Sequence, residues 1–153
     1  MSIMYMYLDK RAATIATIKD YDNMLFIIQN TDKEIDARRT RMVGVGSPNM
    51  DGMPHAPNPK AGEERLVKEI DEIDVLRERY RQAVEYMNWF EPAWNELSED
   101  EQYVLDTFYR GGSTYGSNAA DMVARTYGIE NTTAHKRKNR ALDHLQTLLF
   151  GRV

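Results

Sequence analysis

The sequence predicts an all-α fold in which a long antiparallel, coiled-coil-like helical hairpin precedes a small domain of short helices. Two long stretches, 9–42 and 63–90, carry apolar residues at alternating spacings of three and four, and a segment rich in proline and glycine separates them. After residue 97 the apolar pattern continues in shorter segments that end at glycines. We therefore expect a hairpin and oligomerisation region over residues 1–96 and a second domain over residues 97–153.

The first helix is expected over residues 9–42, which contain no proline or glycine. A helix of about 34 residues is about 50 Å long, which is too long for a globular helix without a partner along its length. Its apolar positions are Ile18, Tyr21, Leu25, Ile28, Ile35 and Met42.

The segment 43–62 is expected to be a loop, because glycines and prolines recur throughout it. It lacks the Gly-Lys-Ser/Thr ending of a phosphate-binding loop, so we interpret it as a connection between helices. A second amphipathic helix is expected over residues 63–90, and Pro92 is expected to end it. Trp89, Phe90 and Trp94 should pack the end of the hairpin onto the next domain. The apolar positions of this helix are Leu66, Ile70, Ile73, Leu76, Tyr80, Val84, Met87 and Phe90.

Two helices alone form a thin core, so their apolar stripes could also be shared with a second copy of the chain. The sequence therefore favours a homodimer formed through the hairpin.

Composition argues against several classes of protein. The chain has no cysteine and three histidines, which leaves little for a metal centre or a catalytic base. It contains no apolar run near the roughly 20 residues that cross a membrane, and its apolar start is too short for a secretory signal. We expect a cytoplasmic protein that is not an enzyme and has no cofactor, no metal site and no membrane contact.

Three short helices are expected in the second domain. Ser98 and Glu101 form a capping box at the start of the first, whose inner face is Val104, Leu105 and Phe108. The second spans residues 118–127 and ends at Gly128. The third spans residues 131–150. Inward positions of the last two helices are Ala120, Val123, Ala124, Ala134, Ala141, Leu142, Leu145 and Leu148.

A helix, a short turn with glycine and a further helix are typical of a helix-turn-helix. The chain has a net charge of -4, yet residues 125–153 contain six Lys/Arg against Glu130 and Asp143, a net +4. Most of these basic residues lie at the start of the last helix, which is the part that enters the major groove in this motif. Double-stranded DNA is therefore the expected partner.

The stretch from Leu97 to Leu145 resembles region 4 of sigma-70-type sigma factors. The matching features are the Leu-Ser-x-x-Glu start, the Val104-Leu105 pair, Thr133-Ala134 and the Ala141-Leu142 pair with Leu145. With a helical hairpin in place of the other sigma regions, the chain resembles phage and prophage transcription regulators of the RinA/ArpU type. The resemblance implies a regulator that activates phage late genes in a bacterial host cell, with host RNA polymerase as a further candidate partner.

The resemblance also implies the DNA-binding residues. Those that would read bases are Asn131, Thr132, His135, Lys136 and Asn139, whereas Thr133 and Arg140 would contact phosphate, and Lys138 belongs to the same basic run. Glu130 departs from the family pattern, which has serine or threonine at the turn. We expect it either to cap the helix or to face a cytosine amino group.

Two other interpretations remain open. Small terminase subunits of phages also join a helix-turn-helix to helical oligomerisation elements and bind viral DNA during packaging. A helical adaptor could instead use the same fold to bind protein partners only.

Overall fold

The computed structural model describes residues 8–44, 59–111 and 117–152, and every regular element in these ranges is an α-helix. The elements are α1 (Lys10–Gly44), α2 (Pro59–Glu96), α3 (Glu99–Tyr109), α4 (Ser117–Tyr127) and α5 (Asn131–Phe150). The all-α prediction is confirmed, with two long helices followed by three shorter ones. Within these ranges no helix is long and apolar enough to cross a membrane.

The described chain packs into two compact units, and both long helices pass through both of them. One unit consists of the described residues between Asn23 and Glu85. The other groups the described residues up to Asp22 and from Tyr86 onwards, so the first turns of α1 and the end of α2 belong with α3, α4 and α5. The domains 1–96 and 97–153 stay a prediction from sequence pattern.

In the unit of residues 23–85 the two long helices run antiparallel. Ile35 of α1 packs with Ile73 and Leu76 of α2, and Met42 lies against this cluster. One turn later in α1, Arg38 meets carboxylates earlier in α2: its guanidinium lies 3.2 Å from Glu69 and also contacts Glu72. Later residues of α1 thus contact earlier residues of α2, as in an antiparallel hairpin.

The predicted apolar stripe of α2 is buried only in part. Ile73, Leu76, Met87 and Phe90 are buried, as expected. Leu66 and Ile70 are 40% and 44% exposed, and Tyr80 is 36% exposed, so the hairpin alone does not bury these positions. That the stripe is shared with a second copy stays a prediction. Among the described residues of this unit, α1 is the one helix that packs against α2, and it covers a narrow stripe.

Both ends of the predicted loop over 43–62 are wrong, and so is the predicted start of the second helix at residue 63. Helix α1 continues through Gly44, and α2 already begins at Pro59. Proline fits the first turn of a helix because the N–H groups there have no partner within the helix. The rest of the predicted loop, residues 45–58, lies outside the described residues.

Pro92 does not end the second helix, contrary to the prediction. It lies inside α2, which continues to Glu96. Proline removes one backbone hydrogen bond, but aromatic and apolar packing on both sides keeps the turn helical. The Phe90 ring stacks on Tyr86 at 5.3 Å and on Trp94 at 5.6 Å between centroids, and Ala93 and Leu97 are buried. Trp89 meets the edge of Phe150 at 5.5 Å.

The core of the unit that contains α3, α4 and α5 has two connected parts. In one, Ile18 of α1 and Phe90 of α2 pack with Leu105 of α3 and with Leu142 and Leu145 of α5. The other consists of buried residues from α3, α4 and the start of α5: Val104, Phe108, Ala119, Ala120, Val123, Ala124 and Ala134. The inward positions predicted for the short helices are confirmed with one exception.

The exception is Leu148, which is 38% exposed, whereas Leu149 is buried. Leu149 follows Leu145 by four residues and Leu142 by seven, so these three side chains share one face of α5. Leu148 lies at the edge of that face.

Candidate nucleic-acid interface

A tight three-residue turn joins α4 to α5. Gly128 has φ 63°, a left-handed conformation that glycine adopts without strain. The N–H of Ile129 donates to the carbonyl oxygen of Ala124 at 3.0 Å, which closes the end of α4 in a Schellman arrangement. Helix α5 begins at Asn131, three residues after Gly128. The predicted stop at Gly128 and start at residue 131 are confirmed.

Small side chains let α4 and α5 approach each other closely. Ala119, Ala120 and Val123 of α4 and Ala134 of α5 are at most 2% exposed. Helix α3 packs against both, through Val104 and Phe108. The arrangement of α4, its turn and α5 has the form of a helix-turn-helix supported by a third helix.

Two hydrogen bonds brace α4 against α3 near the turn. The hydroxyls of Tyr103 and Thr126 lie 2.9 Å apart, and the Tyr127 hydroxyl donates to the Asp100 carboxylate at 2.9 Å. Burial, and then this hydrogen bond, raise the pKa of Tyr127 to about 12. The last turn of α4 is thus held by polar contacts as well as by apolar packing.

The cap of α3 is partly as predicted. Ser98 Oγ accepts from the Glu101 N–H at 3.2 Å, which confirms the first half of the capping box. The Glu101 carboxylate contacts His144 of α5 instead, with 2.7 Å between Oε2 and Nδ1. Glu101 therefore joins α3 to α5.

One side of α5 presents polar side chains to solvent. Thr132, Lys136 and Asn139 follow one another at spacings of four and three, and Arg140 lies beside Lys136 on the same side. We call these four residues the α5 stripe. Thr132, Lys136 and Arg140 are exposed, and Asn139 is half-buried. The stripe contains two cations and two uncharged hydrogen-bonding groups.

Three of the other four predicted DNA-binding residues contact α3 or α4. Asn131 Nδ2 donates to Asp121 of α4 at 2.5 Å. The His135 ring lies 5.6 Å from the Phe108 ring, and Lys138 Nζ lies 5.2 Å from the centre of the same ring. Burial lowers the pKa of Lys138, and the charge of Arg11 lowers it further.

Thr133 is half-buried. The eight predicted residues thus divide into the α5 stripe and a second group that contacts α3 and α4 or is partly covered.

Arg11 belongs to this surface although nothing in the sequence pattern indicated it. It lies in the first turn of α1, 128 positions before Asn139, and its Nη2 donates to Asn139 Oδ1 at 2.6 Å. Its Nη1 lies 3.6 Å from the Asp143 carboxylate, one turn further along α5. Only the fold brings this third cation to the stripe.

Arg137 belongs to the same basic run of α5 but is not among the predicted DNA-binding residues. Its guanidinium lies 4.6 Å above the Tyr127 ring. With Arg140 it borders a shallow groove of about 190 Å³ whose opposite side carries Asp100 and Glu101. The carboxylates balance the two arginines, so this groove is not a purely cationic surface.

Glu130 takes the cap position of α5 without capping it. Its backbone is extended, with φ −76° and ψ 156°, and its side chain makes no cap hydrogen bond. Of the two roles expected for this exposed carboxylate, the structure therefore does not support helix capping.

The described residues contain no group of three or more His, Cys, Asp and Glu side chains that could hold a metal ion. No family model matches the chain, and neither the curated proteins nor the solved structures contain a significant match.

Proposed function

We propose that the protein is a sequence-specific transcription regulator that inserts α5 into the major groove of double-stranded DNA. The observation that carries this proposal is the tight α4–α5 turn together with the exposed α5 stripe. A major groove is about 12 Å wide and admits one helix, whose exposed side chains then meet the base edges. Threonine, lysine, asparagine and arginine are side chains that donate hydrogen bonds to bases or to phosphates.

The charge distribution supports the same surface. Residues 125–153 carry a net +4 in a chain whose total is -4, and Arg11 adds a cation from α1. Phosphate neutralisation by such cations releases bound counterions and makes binding weaken as salt rises. The acidic remainder of the chain disfavours DNA, so α5 is the part that should meet it.

We further propose that two copies pair through the hairpin. Leu66, Val67 and Ile70 are 40%, 57% and 44% exposed within five positions of α2. Large apolar side chains that cluster at a surface favour contact with another chain. Two paired copies would present two α5 helices to a two-part DNA site, with half-sites about one helical turn apart.

The biological setting is part of the proposal. The resemblance to sigma region 4 and to regulators of the RinA/ArpU type supports activation of phage late genes in the cytoplasm of a bacterial host. Host RNA polymerase is the protein partner that such an activator would contact.

Selection of DNA by the purified chain tests the proposal. Fragments of the encoding genome would be selected with the wild type, with Lys136→Ala/Arg140→Ala and with Lys68→Ala/Arg79→Ala. The last pair removes the same charge from exposed positions of α2. Enrichment upstream of an operon is expected for the wild type and the control pair but not for the α5 pair.

Other outcomes would favour other functions. Enrichment at a packaging site would favour a small terminase subunit. No enrichment at any salt concentration would contradict DNA binding and favour a helical adaptor. Sedimentation of Leu66→Glu/Ile70→Glu tests the pairing separately: the variant should be monomeric where the wild type is dimeric, and an unchanged mass would contradict the hairpin interface.

A further inference from the structure

Arg11 fixes which way the Asn139 side-chain amide points. An asparagine amide has one acceptor oxygen and one NH₂ donor group, and the two ends read different partners. Arg11 Nη2 donates to Asn139 Oδ1 at 2.6 Å, so the oxygen faces α1. The Nδ2 group is consequently the end of the amide that is left to meet a ligand at the stripe.

The position of Arg11 is set by the packing of α1. Asp9 caps α1, since its Oδ1 accepts from the Ala12 N–H at 3.0 Å. Two turns further on, Ile18 is fully buried in the cluster that contains Leu142 and Leu145 of α5. The side chain of Arg11 therefore starts from a helix packed on α5. The Asp143 carboxylate lies 3.6 Å from its Nη1 as a second, longer contact on α5.

The direction of the amide has a consequence for base recognition. Asparagine recognises adenine when Oδ1 accepts from the N6 amino group while Nδ2 donates to N7. An amide oxygen can accept two hydrogen bonds, but Arg11 turns Oδ1 of Asn139 toward α1, and this direction disfavours the pairing with adenine. Guanine presents two acceptors, N7 and O6, in the major groove, and both suit an NH₂ donor.

We infer that Arg11 is a positioning residue that turns Asn139 into a donor and so makes α5 select guanine over adenine at the base pair that Asn139 meets. This inference rests on the proposed function, because it presupposes that α5 lies in the major groove. It assigns a role in specificity to a residue of the hairpin helix.

The test compares the base preferences of four proteins, each measured by DNA selection: wild type, Arg11→Met, Asn139→Ala and the double variant. Methionine at position 11 keeps an unbranched apolar side chain but lacks the guanidinium that donates to Asn139. Asn139→Ala identifies the position in the site that Asn139 reads, because preference is lost there. At that position Arg11→Met should lower the ratio of selected guanine to selected adenine by about fivefold or more. About fivefold is the lower end of the discrimination that one bidentate base contact provides.

Two controls separate this role from a structural one. In the double variant, loss of Arg11 should leave the preference as it is in Asn139→Ala. Asp143→Asn removes the charge partner of Arg11 but leaves its hydrogen bond to Asn139, so the wild-type preference should persist. Thermal unfolding of each variant shows whether the chain is still folded.

The outcomes are distinguishable from failure of the proposed function. If Arg11→Met weakens all sites equally and the guanine preference stays, Arg11 only joins α1 to α5 and the inference is wrong. A wild type that prefers adenine at the Asn139 position would also overturn it. If the wild type selects no DNA, DNA binding itself is contradicted.

Discussion

Replacement of Leu145 with alanine removes an isopropyl group from the point where four helices meet. Leu145 is fully buried and shares its cluster with Ile18 of α1, Phe90 of α2 and Leu105 of α3. Because the ends of both long helices contribute to this cluster, we expect the substitution to destabilise the helix-turn-helix and the adjoining turns of α1 and α2 together.

The structure sets the expected magnitude. A buried Leu→Ala substitution costs about 2–5 kcal/mol, which combines the lost transfer free energy with the cavity that remains. For a chain of this size each 1 kcal/mol lowers the melting temperature by about 2–4 °C. Leu145→Ala should therefore lower the melting temperature by about 4–20 °C. Leu148 lies three positions away on the same helix but is 38% exposed, so Leu148→Ala should cost about 1 kcal/mol or less.

Urea and thermal unfolding followed by circular dichroism at the helical minimum measure both variants against the wild type. Both variants replace a leucine of α5 with alanine and remove the same group, and the two positions differ in burial. If both substitutions cost the same, or if Leu145→Ala costs less than about 1 kcal/mol, the assignment of the core face of α5 is wrong.

Three further substitutions have defined expectations in the same unfolding assay. Ser98→Ala removes the cap that accepts from the Glu101 N–H and should cost about 1 kcal/mol; no loss would contradict the cap. Pro92→Ala restores a backbone donor inside α2 and should stabilise the chain by about 1–3 kcal/mol, whereas destabilisation would mean that the ring itself is needed. Burial and the hydrogen bond to Asp100 raise the pKa of Tyr127 from 10.0 to about 12. The protonated phenol therefore contributes fully to the free energy of unfolding below about pH 10, and this contribution is lost as the pH rises to about 12. Tyr127→Phe should therefore reduce the fall of the unfolding free energy between these pH values, and an unchanged fall would contradict the shift.

Local signals in the sequence were sufficient to predict the short helices. The serine cap at Ser98 and the glycine stop at Gly128 act within a few residues of the positions that they define, so helix ends could be placed closely. The spacing of Ala141, Leu142 and Leu145 likewise defined the buried face of α5. These features depend on neighbours in the chain.

Features that depend on distant neighbours could not be predicted. Pro92 is a strong helix breaker by itself, yet the packing of Phe90 and Ala93 keeps α2 helical around it. Leu66 matched the apolar stripe of α2, but burial requires an opposing helix, and α1 does not cover it. The contact between Arg11 and Asn139 joins residues 128 positions apart, for which one sequence contains no periodic signal.

The affinity for a selected DNA fragment, measured over a series of salt concentrations, tests the central claim most directly. The wild type, Arg140→Ala and the control Arg79→Ala would be compared by fluorescence anisotropy. For the wild type, affinity should fall linearly on logarithmic axes as salt rises. Loss of one phosphate contact in Arg140→Ala should reduce that slope by about 1, while Arg79→Ala should leave it unchanged. Equal slopes for all three proteins, or binding that does not depend on salt, would contradict the placement of α5 on DNA.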